Sequence, residues 1–178
     1  VSLEGSIATS GAQTYGGATS LTGDTTLSGT AASFNNGIDG NDNDLSLNMS
    51  GLTALGEGIS NIANFSSTGD VSLAGNFSTT GSQTFDGNVS LSDDTALSGT
   101  TGSIAGVVGN DNNLSVNFSG GTVAINGAFT GIADFTAETD VSLEGSIATS
   151  GSQTYNAGTA LDGDTTLSGT AASFSSNI

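Results

Sequence analysis

The chain has 178 residues, of which 17 are Asp or Glu and none is Lys, Arg or His, so its formal charge is −17. Without cationic side chains it has nothing to displace counterions from phosphates or to draw it to anionic lipids, so neither nucleic-acid binding nor direct anionic-membrane binding is expected. His, Cys and Lys, the usual acid–base and nucleophilic groups, are absent as well, and an enzyme is not expected.

Gly, Ser and Thr supply 81 of the 178 residues, and Leu, Ile, Val and Phe only 39. A charged chain this poor in large apolar residues borders on disorder, so any order must come from patterning. The absence of Pro and the abundance of β-branched residues favour strands. No cysteine is present to form a disulfide framework or a thiolate metal site. No run approaches the roughly 18 apolar residues of a membrane helix. The opening VSLEG has neither an initiator Met nor a basic segment leading into an apolar one, and reads as the start of a processed or excised piece.

In chain order, VSLEGSIATSGAQTY at 1–15 returns as VSLAGNFSTTGSQTF at 71–85 and as VSLEGSIATSGSQTY at 141–155. DTTLSGTAASF at 24–34 returns at 94–104 and 164–174, and GIDGNDNDLSLNMS at 37–50 returns at 106–119. The chain is therefore a single segment of sequence repeats 1–70, 71–140 and a partial 141–178, expected to belong to a longer array.

Within a repeat, apolar residues alternate with Ser and Thr at period two, as in Leu45-Ser46-Leu47 and Val71-Ser72-Leu73, between clusters of Gly, Asn and Asp. Three subunits can be traced. One runs from Leu27 through Phe34 to Leu47, the next from Leu52 through Ile59 to Phe65, and the third from Val71 through Phe77 and Phe85 to Leu91. The second repeat starts its subunits at Leu97, Val123 and Val141. This predicts an all-β right-handed parallel β-helix (β-solenoid) with three coils per 70-residue repeat and about 23 residues per coil. About 7.6 such coils would make a rod some 36 Å long. Leu27, Phe34, Leu47, Phe65, Leu73, Leu97, Val116 and Phe135 are expected to face inward. A sandwich of tandem 70-residue domains and a disordered Ser/Gly/Thr tether remain as alternatives.

The run GSQTYNAGTALDGDTTLSGTAASF at 151–174 resembles repeats of filamentous-haemagglutinin-like, or β-strand-repeat, secreted bacterial exoproteins. Gly11, Gln13, Thr14, Tyr15, Asp24, Thr25, Thr26, Leu27 and Phe34 match that pattern, as does Ile38-Asp39-Gly40. The resemblance implies a right-handed β-helical shaft, export across the bacterial envelope to the cell surface or extracellular matrix, and a role in adhesion or biofilm.

GNDND at 40–44 and GNDNN at 109–113 are similar to the turns of calcium-binding β-rolls, which makes Asp42, Asp44 and Asp111 candidate calcium ligands. Those rolls repeat the motif about every nine residues, so plain turn chemistry is the competing reading. Asp93-Asp94, and Asp162 with Asp164, could pair as glycosidase carboxylates acting on an acidic polysaccharide, but no cation is present to bind one, and Asp24 and Asp164 read better as turn residues before TTL. Tyr15, Phe85 and Tyr155 could stack on sugars, yet Tyr/Phe interchange at one repeat position points to packing. No cofactor is required by any of these readings, with calcium the one candidate. The expected function is a structural shaft segment of a surface adhesin or extracellular filament. The alternative is a glycan- or protein-binding module that uses the Ser/Thr/Asn-rich outer face to meet a glycan or cell-surface receptor. Lateral homotypic association through divalent cations is a further expectation, because like-charged rods need an intermediary.

Overall fold

A computed structural model describes residues 1–178 and contains no helix. Eighteen strands, from Ser2–Ala8 to Ala171–Phe174, pair only in parallel and form one β-solenoid of about nine turns. At roughly 4.8 Å per strand that is a stack about 43 Å long.

Each coil has three faces separated by bends. In the first coil the inward residues are Leu3 on the first face, Ile7 on the second, and Gln13 and Tyr15 on the third. Breaks in pairing register mark the bends, for example between Leu3 and Gly5, Ser20 and Thr25, and Leu73 and Gly75. Gly5 and Gly75 turn the first of these corners in their repeats with φ of 71° and 70°, a left-handed conformation in which a Cβ would be strained.

The second face shows the stacking rule most simply. Ile7, Leu27, Leu47, Ser67, Phe85, Ile104, Ile125, Leu143 and Leu161 lie one above another in unbroken parallel register. Side chains alternate across a strand, so Thr26 and Ser46 beside them point outward. The inward rows fuse into one core of 35 buried residues, which includes all eight positions expected inside. Aromatic rings reinforce it: Tyr15 stacks on Phe34 at 4.7 Å and Tyr155 on Phe174 at 4.7 Å, while Phe65 packs against Phe77 and Phe85 at 4.8 and 5.2 Å. Leu52, expected to open a subunit, is instead half exposed in a bend.

Coil length differs from the sequence expectation. Paired residues are 17 to 22 apart, from Ile62↔Thr79 to Val107↔Phe129. Eight steps from Ile7 to Leu161 give about 19 residues per coil rather than 23. The 70-residue repeat consequently does not hold three coils, or any whole number of them. Leu3 lies on the first face of the first coil. Its counterpart Leu73 lies on the third face of the fourth coil, in the row Tyr15–Phe34–Leu55–Leu73. The next counterpart, Leu143, lies on the second face of the eighth coil. Each repeat thus spans eleven faces, or three and two-thirds coils, and each copy of a motif sits one third of a turn back from its predecessor.

Candidate functional site

The polar groups that the sequence singles out fall into three systems, and every one repeats with the one-face rotation. The innermost is the Gln-x-Tyr element. Nε2 of Gln13 donates to the carbonyl oxygens of Ile7 (3.4 Å) and Ser28 (2.9 Å). Gln83 does the same to Phe77 (3.1 Å) and Ser98 (2.7 Å), and Gln153 to Ile147 (3.0 Å) and Ser168 (2.8 Å). Each buried amide thereby ties two adjacent coils at a bend. The Tyr15 hydroxyl donates to Oε1 of Gln13 at 2.6 Å, and Tyr155 to Oε1 of Gln153 at 2.9 Å. Burial pushes both hydroxyls above the usual phenol range. In the middle repeat Phe85 replaces the tyrosine, and Oε1 of fully buried Gln83 has no partner. The hydroxyl therefore satisfies a buried acceptor, so packing alone does not account for this position. Phe85 and Tyr155 are closed off from solvent and cannot serve as sugar platforms.

The second system is a ladder of Asp and Asn at the bends. Asp24 Oδ1 accepts the backbone N–H of Asp44 (3.0 Å), Asp44 Oδ1 that of Asn64 (3.0 Å), and Asn64 Oδ1 that of Ser82 (2.9 Å). One repeat later the same positions form Asp94–Asn113–Asp134–Ser152, with bonds of 2.8, 3.0 and 2.6 Å. Each side chain takes up a bend N–H on the coil above, where strand pairing is interrupted. The bonds from Asn113 hold the Asp94 carboxyl below its usual range, and those from Ser152 do the same for Asp134. Asp94 N–H also donates to Asp93 Oδ1 at 2.8 Å, which makes that pair part of a turn.

The third system is the GNDN turn. Asn41 and Asp42, and likewise Asn110 and Asp111, take consecutive positive φ values between 47° and 63°. Asn41 Nδ2 donates to Leu21 O and Asn43 Nδ2 to Gly40 O; Asn110 and Asn112 repeat this with Leu91 O and Gly109 O. Asp42 is exposed at the tip, Asp44 is engaged in its ladder, and Asp111 is exposed on the following repeat's turn, one face back. The structure does not bring Asp111 to Asp42 and Asp44, and no three acidic side chains converge as a metal-binding group. Within each copy the positive φ values and the Asn amide bonds build the turn.

Charge is distributed by the same geometry. Apart from Asp39, every carboxylate falls in the bends between register-paired residues, so the flat faces present mainly Ser, Thr and Ala. The fold and these systems define an acidic, all-β repeat protein of the solenoid class. No family model, curated protein or solved structure matches the chain.

Two consequences are measurable. Phe85→Tyr should raise stability by about 1 kcal/mol by giving Gln83 Oε1 a donor, and Tyr155→Phe should lower it by about 1–3 kcal/mol; urea unfolding of the three chains checks both. Because the carboxyls of Asp94 and Asp134 are depressed on folding, the stability they contribute is present above their unfolded values and is lost as pH falls through the folded ones. Melting temperature followed down from neutral pH should therefore drop more steeply below about pH 4 in the parent chain than in Asp94→Asn/Asp134→Asn, which keeps the Oδ1 acceptors of the bend N–H groups and cannot titrate.

Proposed function

We propose that the chain is a structural shaft segment of a long secreted bacterial surface adhesin or extracellular filament, coiled right-handedly and acting in adhesion or biofilm. The observation that supports this best is the continuous core. The same inward alternation serves all three faces, so each added repeat stacks on its predecessor without a new folding solution. The resemblance of 151–174 to filamentous-haemagglutinin-like repeats supports the adhesin and surface location. The alternative, a glycan- or protein-binding module without a shaft role, rests on the outward Ser and Thr rows such as Thr26, Ser46 and Ser66. Glycan-array binding independent of repeat number would favour that alternative.

A shaft in which coils bury their apolar faces only against neighbours must gain stability with length. Chains of one, two and four repeats should melt at successively higher temperatures, and equal values would contradict the reading. Carboxylates crowded along three edges with no basic partner should also make the rod depend on dissolved cations. At low ionic strength, added NaCl should raise the melting temperature gradually. CaCl2 should act at lower concentration and promote lateral association, visible as growth in light scattering that EDTA reverses. Saturation at micromolar calcium would instead indicate specific sites.

A further inference from the structure

Three recesses mark the surface, and one of them is bordered by the Asp/Asn ladder. It lies on the first face over four successive coils, has a volume of about 400 Å³, and is absent from the equivalent place in the preceding repeat. Its floor is the outward row Asn76, Ala96, Ser115 and Thr136, stacked in register. The rim is the ladder Asp94–Asn113–Asp134. In the preceding repeat the corresponding row is Ser6, Thr26, Ser46 and Ser66, beside Asp24–Asp44–Asn64. The ladder keeps its backbone bonds, with acid and amide exchanged at the second and third positions, Asn113 for Asp44 and Asp134 for Asn64. The floor differs: Ala96 replaces the bulkier Thr26, Asn76 replaces Ser6 as a taller wall, and Thr136 replaces Ser66.

The groups in the recess select a ligand class. Asp94 and Asp134 are two coils apart, roughly 10 Å along the axis, and with no cation anywhere among the side chains the recess repels anions. Asn76, Ser115 and Thr136 have no side-chain partner and are free to bind polar groups; Asp94 spends both oxygens on Asn113, while Asp134 keeps Oδ2 free. No aromatic side chain lines the recess, so a neutral sugar would find no stacking platform. Attraction must come from charge and hydrogen bonds. A ligand with ammonium groups at intervals, hydroxyls between them and an extended shape meets all of these conditions. We propose that this recess binds an extended β-linked oligomer of amino sugars with free ammonium groups, its charges facing Asp94 and Asp134 and its hydroxyls facing Asn76, Ser115 and Thr136. The site does not depend on the shaft reading, since a spacer can carry it and a stand-alone binding module can too.

The test separates this site from general attraction to an acidic rod. Calorimetric titration of the full chain with a tetramer of β-1,4-linked glucosamine should give saturable binding, and the fully N-acetylated tetramer should not bind. Ala96→Thr restores the residue that the preceding repeat already carries at this position, so it should leave the melting temperature unchanged while weakening binding about tenfold. Asp94→Asn and Asp134→Asn should weaken it as well, whereas Asp24→Asn, the same charge change beside a filled floor, should not. Binding by Ala96→Thr equal to that of the parent would overturn the proposal in favour of diffuse attraction. Equal binding of the acetylated tetramer, equally tight and Ala96-dependent binding of spermine, or no binding by the parent chain would each overturn it too.

Discussion

The whole molecule depends on one constraint: each coil must place its inward side chains directly over those of the coil beneath while its backbone pairs with that coil along the axis. Parallel pairing at a fixed strand spacing leaves no freedom on the inner side, and the inward rows are accordingly mostly Leu, Ile, Val and Phe with a few Thr and Gln. Outward positions bear no such demand, and small hydroxyl residues suffice there. The bends take up the differences, which is why pairing offsets vary between 17 and 22 residues without interrupting the core. Those bends are also where main-chain pairing is lost, and the Asp/Asn ladders supply acceptors in its place.

This constraint explains why the sequence was legible in some respects and opaque in others. Period-two alternation marks which side chains go inside, and Leu27, Phe34, Leu47 and the other expected positions are all buried. Coil length was another matter. Reading a whole number of coils into 70 residues assumes that a motif must return to the same face. The three faces make equivalent demands, however, so Leu3, Leu73 and Leu143 are equally well placed in three different rows. A repeat in sequence need only be a whole number of faces. The variable bends hide the face length of between six and seven residues, because apolar pairs such as Leu3 and Ile7 or Leu21 and Leu27 straddle corners at different spacings.

The polar sites show a similar division. GNDN was recognisable as turn chemistry because Asn and Asp tolerate positive φ, and Asn41, Asp42, Asn110 and Asp111 all adopt it. Asp24–Asp44–Asn64 was not recognisable, since its members are about 20 residues apart and meet only once the true coil length is known. The Tyr/Phe exchange at 15, 85 and 155 misled for a different reason. A substitution seen within one chain suggests that the hydroxyl is dispensable, whereas the middle repeat simply tolerates an unsatisfied Gln83 oxygen within a large core. One orphan acceptor costs about 1–3 kcal/mol, which a continuous core of 35 buried residues can absorb.

The one-face step has a consequence for the surface that a whole-number repeat would not have. Had each repeat closed on itself, every copy of a bend motif would lie along a single edge, and the carboxylates would accumulate on one side of the rod. With eleven faces per repeat, successive ladders move from edge to edge, and three repeats return the pattern to its starting face. Charge is then shared among the three edges, and the nearest like ladder on the same edge lies eleven coils away, well beyond the screening length of physiological salt. The rotation thus lowers the self-repulsion that an array without basic residues would otherwise build up, while the flat faces remain almost free of charge. A small outward residue such as Ala96, or Ala54 and Ala124 on other faces, changes the outer surface while the inward stacking beneath it stays the same. In an array of near-identical units, such single outward differences are what distinguish one stretch of a face from the next.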